Sequence, residues 1–157
     1  MLTNLDATAG YRMMWKNKNP PHWIFMDKKI EVRPDIQAVW EYLPFRNNVF
    51  NCVLFDPPHI VLWGTGTPKI AENFGGWPYK RDILPSIFKS IKEFARVSKR
   101  LVFKWCDTRD GSTWWKLQSV FRGIWDIVLE RKQTNKGMGY GKTWWVSFIR
   151  FNGGKED

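Results

Sequence analysis

The sequence predicts an α/β chain: a mostly parallel seven-stranded sheet with helices on both faces and a C-terminal antiparallel hairpin. Three observations carry this. Short β-rich apolar runs recur along the chain, separated by helical or looping segments. One long segment repeats its apolar residues at helical spacing. The last two β-rich runs are joined by a single basic, glycine-containing loop, which suits a hairpin.

The elements follow in order. Leu2–Asp6 reads as the first strand, closed by Ala7-Thr8-Ala9-Gly10, with a helix starting in Tyr11–Lys16. His22–Met26 reads as the second strand, ending at Asp27, and Asp35–Trp40 as the third. Val49–Phe55 is the fourth and the most hydrophobic. A loop with Gly64, Gly66, Pro68, Gly75, Gly76 and Pro78 follows, long enough to serve as a binding loop. Ile83, Ile87, Ile91 and Phe94 then recur at helical spacing, with Phe88 and Ala95 widening the stripe, and the helix ends near Ser98. Arg100–Trp105 is the fifth strand and Ser112–Phe121 a helix. Ile124–Arg131 and Thr143–Phe151 form the closing hairpin around the Gln133–Lys142 loop.

Composition bounds the rest. A chain of 157 residues fits one domain over 1–157, and no window holds the roughly 20 apolar residues of a membrane span. The N-terminus lacks a basic-then-apolar signal pattern, which predicts a cytoplasmic location. Cys52 and Cys106 read as buried thiols. The net charge of +10 and the 11 Trp residues favour a polyanionic partner with stacking faces, a nucleic acid, through stretches such as Trp114-Trp115-Lys116 and Lys142-Thr143-Trp144-Trp145. The competing interpretation puts most of the Trp in the core and the lysines in solvent.

In a parallel sheet, ligands bind outside the carboxyl ends of the strands, where strand order reverses. Here those ends carry Asp6 and Gly10, Asp27, Asp56-Pro57-Pro58-His59 and Lys104-Trp105-Cys106-Asp107. Two successive prolines cannot continue a central strand, because each lacks an N–H and has φ fixed. The fourth strand therefore stops beside a carboxylate and an imidazole.

Four motifs in order, Asp6-Ala7-Thr8-Ala9-Gly10, Leu43-Pro44-Phe45, Asp56-Pro57-Pro58-His59 and Phe103-Lys104-Trp105, resemble the class I S-adenosylmethionine-dependent methyltransferases. More narrowly, they are similar to a small phage-type group of that class and to enzymes that methylate amino groups of nucleobases, adenine N6 among them. The resemblance covers nearly the whole chain. It implies a Rossmann-like fold, S-adenosylmethionine as cofactor, no metal, and a nucleic acid as acceptor.

The resemblance also implies site residues. Asp6, Ala7, Thr8 and Gly10 form the cofactor loop, where Gly10 permits close backbone approach and Asp6 pairs with the cofactor's ammonium. An N-cap is the alternative for Asp6. Asp27 lies near the offset at which an acid meets ribose hydroxyls; a solvated turn acid is its alternative. The third strand offers Ala38-Val39-Trp40-Glu41, so Trp40 or Glu41 is left to meet the adenine. In such enzymes the segment matching Asp56-Pro57-Pro58-His59 holds the target nitrogen. An exocyclic amine has its lone pair delocalised into the ring, and a carboxylate (Asp56) plus a main-chain carbonyl (Pro57) localise it toward the methyl donor. His59 stands where relatives carry an aromatic residue to stack on a flipped-out base, or it merely caps the turn. Lys104, Trp105 and Trp63 are the candidate substrate contacts. Two other functions stay open: a non-catalytic nucleic-acid-binding module on the same fold, and a methyltransferase for small-molecule or protein amines.

Overall fold

The computed structural model describes residues 3–62, 71, 75–107, 112–134 and 141–152. Seven strands form one sheet: β1 (Thr3–Asp6), β2 (Trp23–Asp27), β3 (Ile36–Gln37), β4 (Phe50–Phe55), β5 (Arg100–Cys106), β6 (Trp125–Thr134) and β7 (Lys142–Arg150). Their spatial order is β3-β2-β1-β4-β5-β7-β6. The first five are parallel, and β7 inserts antiparallel between β5 and β6. This is the mostly parallel sheet with a terminal hairpin that the sequence predicts.

The period-2 pattern of β5 shows why one sheet face is covered. Leu101, Phe103 and Trp105 are buried, whereas the alternate residues Val102 and Lys104 are partly exposed. Helix α1 (Ile83–Val97) lays Ile83, Ile87, Ile91 and Phe94 onto the covered face. Phe94 meets Phe55 edge-on at 4.8 Å between ring centroids. Phe55 pairs in register with Phe103, so both point to that face. The short helix α2 (Trp114–Leu117) and the 3-10 turn Gln118–Phe121 place Trp114 and Phe121 against Phe103. Trp40, Trp77, Trp105, Trp114, Trp125 and Trp144 are all buried. A large part of the aromatic content is therefore core.

Several sequence expectations change. Helices α1 and α2 share one face of the sheet. Over β1 and β2 the opposite face is covered instead by Trp15, whose ring lies 4.5 Å from Trp23 and 5.4 Å from Phe25. The expected helix in Tyr11–Lys16 is a run of turns, because Gly10 and Arg12 both adopt positive φ, which breaks helical geometry. Strand β3 is only two residues long. The Asp35 carboxylate accepts the Phe25 N–H and pairs with Arg12, and the Val39–Tyr42 bridge then turns the chain away. Phe88 stays exposed beneath Lys92 rather than widening the α1 stripe. Cys52 and Cys106 are of intermediate burial rather than fully buried.

Candidate active site

Strand β1 has β2 on one side and β4 on the other, while the chain runs outward to β3 one way and to β5 the other. That reversal opens a crevice at the strand tips. It holds a cavity of about 410 Å³ whose walls include Thr8, Gly10, Asp27, Asp56, Pro57, Pro58, His59 and Lys104.

The β1 tip is tied down on both sides. The Ala7 N–H donates to Leu54 O and the Ala9 N–H to Met26 O. Asp6 is buried and does not line the cavity. Its carboxylate accepts the Thr8 N–H at 3.1 Å and Trp15 Nε1–H at 2.8 Å. Burial outweighs those two bonds, and with Asp56 and Asp27 nearby the carboxyl is pushed from 3.8 up to about 6. Asp27 receives the Gly10 N–H at 2.9 Å and the Lys29 N–H at 2.9 Å, which fixes its carboxylate at the β2 tip. Gly10 has φ of +48°, the left-handed region that glycine enters at least cost.

Register sets the other wall. Because Phe55 pairs with Phe103, Asp56 comes to lie beside Lys104, and Lys104 Nζ meets Asp56 Oδ2 at 2.6 Å. The Asp56 N–H donates to Thr8 Oγ1 at 2.8 Å. Beyond the prolines the chain folds back on Trp77: Leu62 N–H donates to Trp77 O, Trp77 N–H to Ile60 O, and Trp77 Nε1–H to the Pro58 carbonyl. Gly75 keeps the same segment close, since a Cβ there would meet Pro58 Cγ at 3.2 Å and its φ is +75°. His59 is half-buried. Burial lowers its imidazole below the ordinary value against the opposing pull of Asp56, with Lys104 adding to the lowering.

The candidate residues thus divide. Thr8, Gly10, Asp27, Trp40, Asp56, Pro57, Pro58, His59 and Lys104 share the cavity. Asp6 and Ala7 are buried and do not line it. Glu41 lines an adjoining cavity of about 300 Å³, alongside Trp40, Pro58 and Ser86, and accepts the Ser86 hydroxyl. Trp105 does not face a substrate: it is fully buried, with Nε1–H on Ser112 O at 3.1 Å, because it sits on the core face of β5. Trp63 lies outside the described residues. Leu43 and Phe45 are bound to α1 instead of the cavity, through Glu93 Oε2 to the Leu43 N–H and Arg96 to both carbonyls. Trp15 was not among the candidates, yet it holds the Asp6 carboxylate. Trp77, expected either to close over the site with its loop or to anchor that loop to the core, is buried and holds the proline edge. The only sequence signal for Trp77 was an aromatic residue inside a glycine- and proline-rich loop.

The fold that carries this arrangement is also found in solved structures. An rRNA methylase from Streptococcus thermophilus superposes with a TM-score of 0.57 at 12% identity, covering 95% of this chain and 87% of that one. The N-methyltransferase NodS from Bradyrhizobium japonicum gives 0.60 at 8% identity over 94% and 84%. A variant of the 16S rRNA (adenine(1408)-N(1))-methyltransferase from Catenulisporales acidiphilia, solved with cosubstrate SAM, gives 0.59 at 13% identity over 99% and 88%. The chain shares the fold of these methyltransferases. No family model matches the sequence, and no curated protein matches it. In this methyltransferase fold the cavity lies at the β1/β4 crevice, with an acid at the tips of β1 and β2 and just beyond β4. Among the described residues no His, Cys, Asp and Glu cluster has the makings of a metal site, and no helix is long and apolar enough to cross a membrane.

Proposed function

We propose that the chain is an S-adenosylmethionine-dependent methyltransferase acting on an exocyclic amino nitrogen, adenine N6 of DNA or RNA. The observation that carries this is the meeting of Asp27, Asp56 and the Pro57-Pro58-His59 edge on one cavity at the β1/β4 crevice, with Lys28, Lys29 and Lys104 in the same wall. Carboxylates and ammonium groups side by side suit a ligand that carries both signs of charge, and a sulfonium with an amino-acid tail is one. The fold and the solved relatives, two of which were crystallised with S-adenosylhomocysteine or SAM, support the same cofactor.

The residues fit that cofactor and the transfer. The 7–10 loop would hold the amino-acid tail, with buried Asp6 acting on its ammonium through charge, Asp27 would meet the ribose, and Trp40 would border the adenine. Bound there, S-adenosylmethionine supplies an electrophilic methyl group on sulfur. Asp56 and the Pro57 carbonyl accept the two N–H bonds of the target amine, which draws its lone pair out of conjugation. With the cofactor bound, that lone pair would take the methyl group as the C–S bonding pair stayed with sulfur, and Asp56 or solvent would take the proton that the nitrogen sheds. Neutral His59 stacks on the base. Positioning and electrostatic shaping supply most of the rate.

One observation favours a second reading, a non-catalytic nucleic-acid-binding module: Asp56 is already ion-paired with Lys104. The experiment that separates them combines calorimetric titration with S-adenosylmethionine and incorporation of tritiated methyl into duplex DNA, single-stranded DNA and RNA. The enzyme binds cofactor and labels a nucleic acid, and Asp56→Ala loses label while still binding cofactor. A chain that gives no heat with cofactor is the module.

A further inference from the structure

Strand β6 ends the sheet order, so β7 pairs with it on one side and no described strand pairs on the other. Its outer edge is long and apolar at the centre. Ile127, Val128 and Leu129 are 46%, 66% and 47% exposed. An exposed, hydrophobic edge strand is a template for another strand. Its charges decide which strand fits: Asp126 precedes the apolar triplet, and Glu130-Arg131-Lys132 follows it.

The register is irregular between Ile127 and Leu129, the mark of a bulge at Val128. Bulges often turn an edge away from neighbours. This one also sorts the charges. Asp126 is opposite Ile149 and Arg131 is opposite Trp145, positions that share a face of β7, so Asp126 and Arg131 share a face despite their odd separation. On the other face Glu130 accepts Trp114 Nε1–H, and Lys132 lies 5.9 Å from the Trp144 ring centre.

We propose that β6 pairs antiparallel with β6 of a second copy, about a two-fold axis between Val128 and Leu129, joining the two seven-stranded sheets edge to edge. In that register Asp126 of each copy faces Arg131 of the other, and Val128 faces Leu129. Every cross-strand pair then joins residues of one face, as pleated pairing requires. The outer pairs are complementary in charge and the central pair is apolar, with Ile127 opposite Glu130 between them, and the same patch serves both copies, as in an isologous interface. A polyanion suits this edge poorly, because Asp126 and Glu130 flank the apolar centre.

Light scattering coupled to gel filtration of the whole chain tests this. The wild-type protein is expected to elute with a dimer's mass. Asp126→Arg and Arg131→Asp each place like charges opposite one another twice, and each is expected to weaken self-association by about tenfold or more. The double exchange, Asp126→Arg with Arg131→Asp, restores the dimer. Circular dichroism of each variant confirms that it has folded; Val128→Lys, which buries a charge at the axis, serves in place of any that has not. A monomeric wild type at the highest soluble concentration overturns the proposal. So does a dimer that ignores the single reversals, or a double exchange that stays monomeric.

Discussion

The Asp56 main-chain N–H donates to Thr8 Oγ1 at 2.8 Å, so one hydroxyl joins the loop that closes β1 to the segment that ends β4. Thr8 also donates its own N–H to Asp6. The proposed cofactor side and acceptor side of the cavity are thereby one hydrogen-bonded unit.

Thr8→Val keeps the shape of the side chain but removes the acceptor, leaving a partly buried amide unpaired at a cost of about 1–3 kcal/mol. The expected result is a fall in kcat for methyl transfer larger than any rise in cofactor Kd, with Thr8→Ser close to wild type. Equal kcat in Thr8→Val and wild type would show that the loop does not position the edge.

Lys104→Met removes the cation that holds Asp56 Oδ2. Asp56 then keeps its main-chain anchor but loses its side-chain orientation, and kcat is expected to drop by roughly tenfold, the equivalent of about 1.4 kcal/mol, with cofactor affinity little changed. Single-turnover kinetics of Lys104→Met against Lys104→Arg make the measurement, the latter retaining part of the rate. If loss of Lys104 speeds the reaction, the ion pair is a restraint on Asp56 rather than a support.

Asp6 gives a pH dependence of defined sign. Its folded carboxyl titrates at about 6, above the ordinary 3.8, mainly because it is buried. The folded state therefore favours the protonated form. The associated stability is fully present below 3.8 and is lost as pH rises through about 6, a change of roughly 3 kcal/mol. Urea midpoints of wild type and Asp6→Asn, compared across that window, are expected to diverge as pH rises, the Asn variant losing less. Parallel curves would place the titration elsewhere. An ammonium bound near Asp6 favours its charged form, so cofactor binding is expected to release a proton near pH 5, seen as a buffer-dependent calorimetric heat.

Trp77→Phe preserves most of the packing at the base of the proline edge but removes the N–H that meets the Pro58 carbonyl. The expected loss of stability is about 1 kcal/mol, with a larger effect on kcat than on folding. Trp77→Ala is expected to cost about 3–5 kcal/mol, since the ring is buried against Trp40. Chemical denaturation and turnover measured on the same preparations separate the two effects.

Much of this was legible in the sequence at close range. Alternation of Leu101, Phe103 and Trp105 marked β5, and the spacing of Ile83, Ile87, Ile91 and Phe94 marked α1, because both patterns depend only on neighbours along the chain. The helix expected at Tyr11–Lys16 failed for a reason that is not local: positive φ at Gly10 and Arg12 goes with contacts to residues distant in sequence, Gly10 to Asp27 and Arg12 to Asp35. Trp105 was misplaced because the pattern of a strand shows that it has two faces without showing which one is covered.

By itself the sequence determined the strands, the main helix and the acids that end β1, β2 and β4, since propensity, periodicity and two prolines act within a few residues. The tertiary structure alone decided which of those ends meet. Strand order placed β4 beside β1, and a one-residue register set Asp56 against Lys104 and Thr8, while Trp15 and Trp77 closed in from loops with no periodic signal. Contacts of that kind depend on long-range packing, and no run of neighbouring residues encodes it.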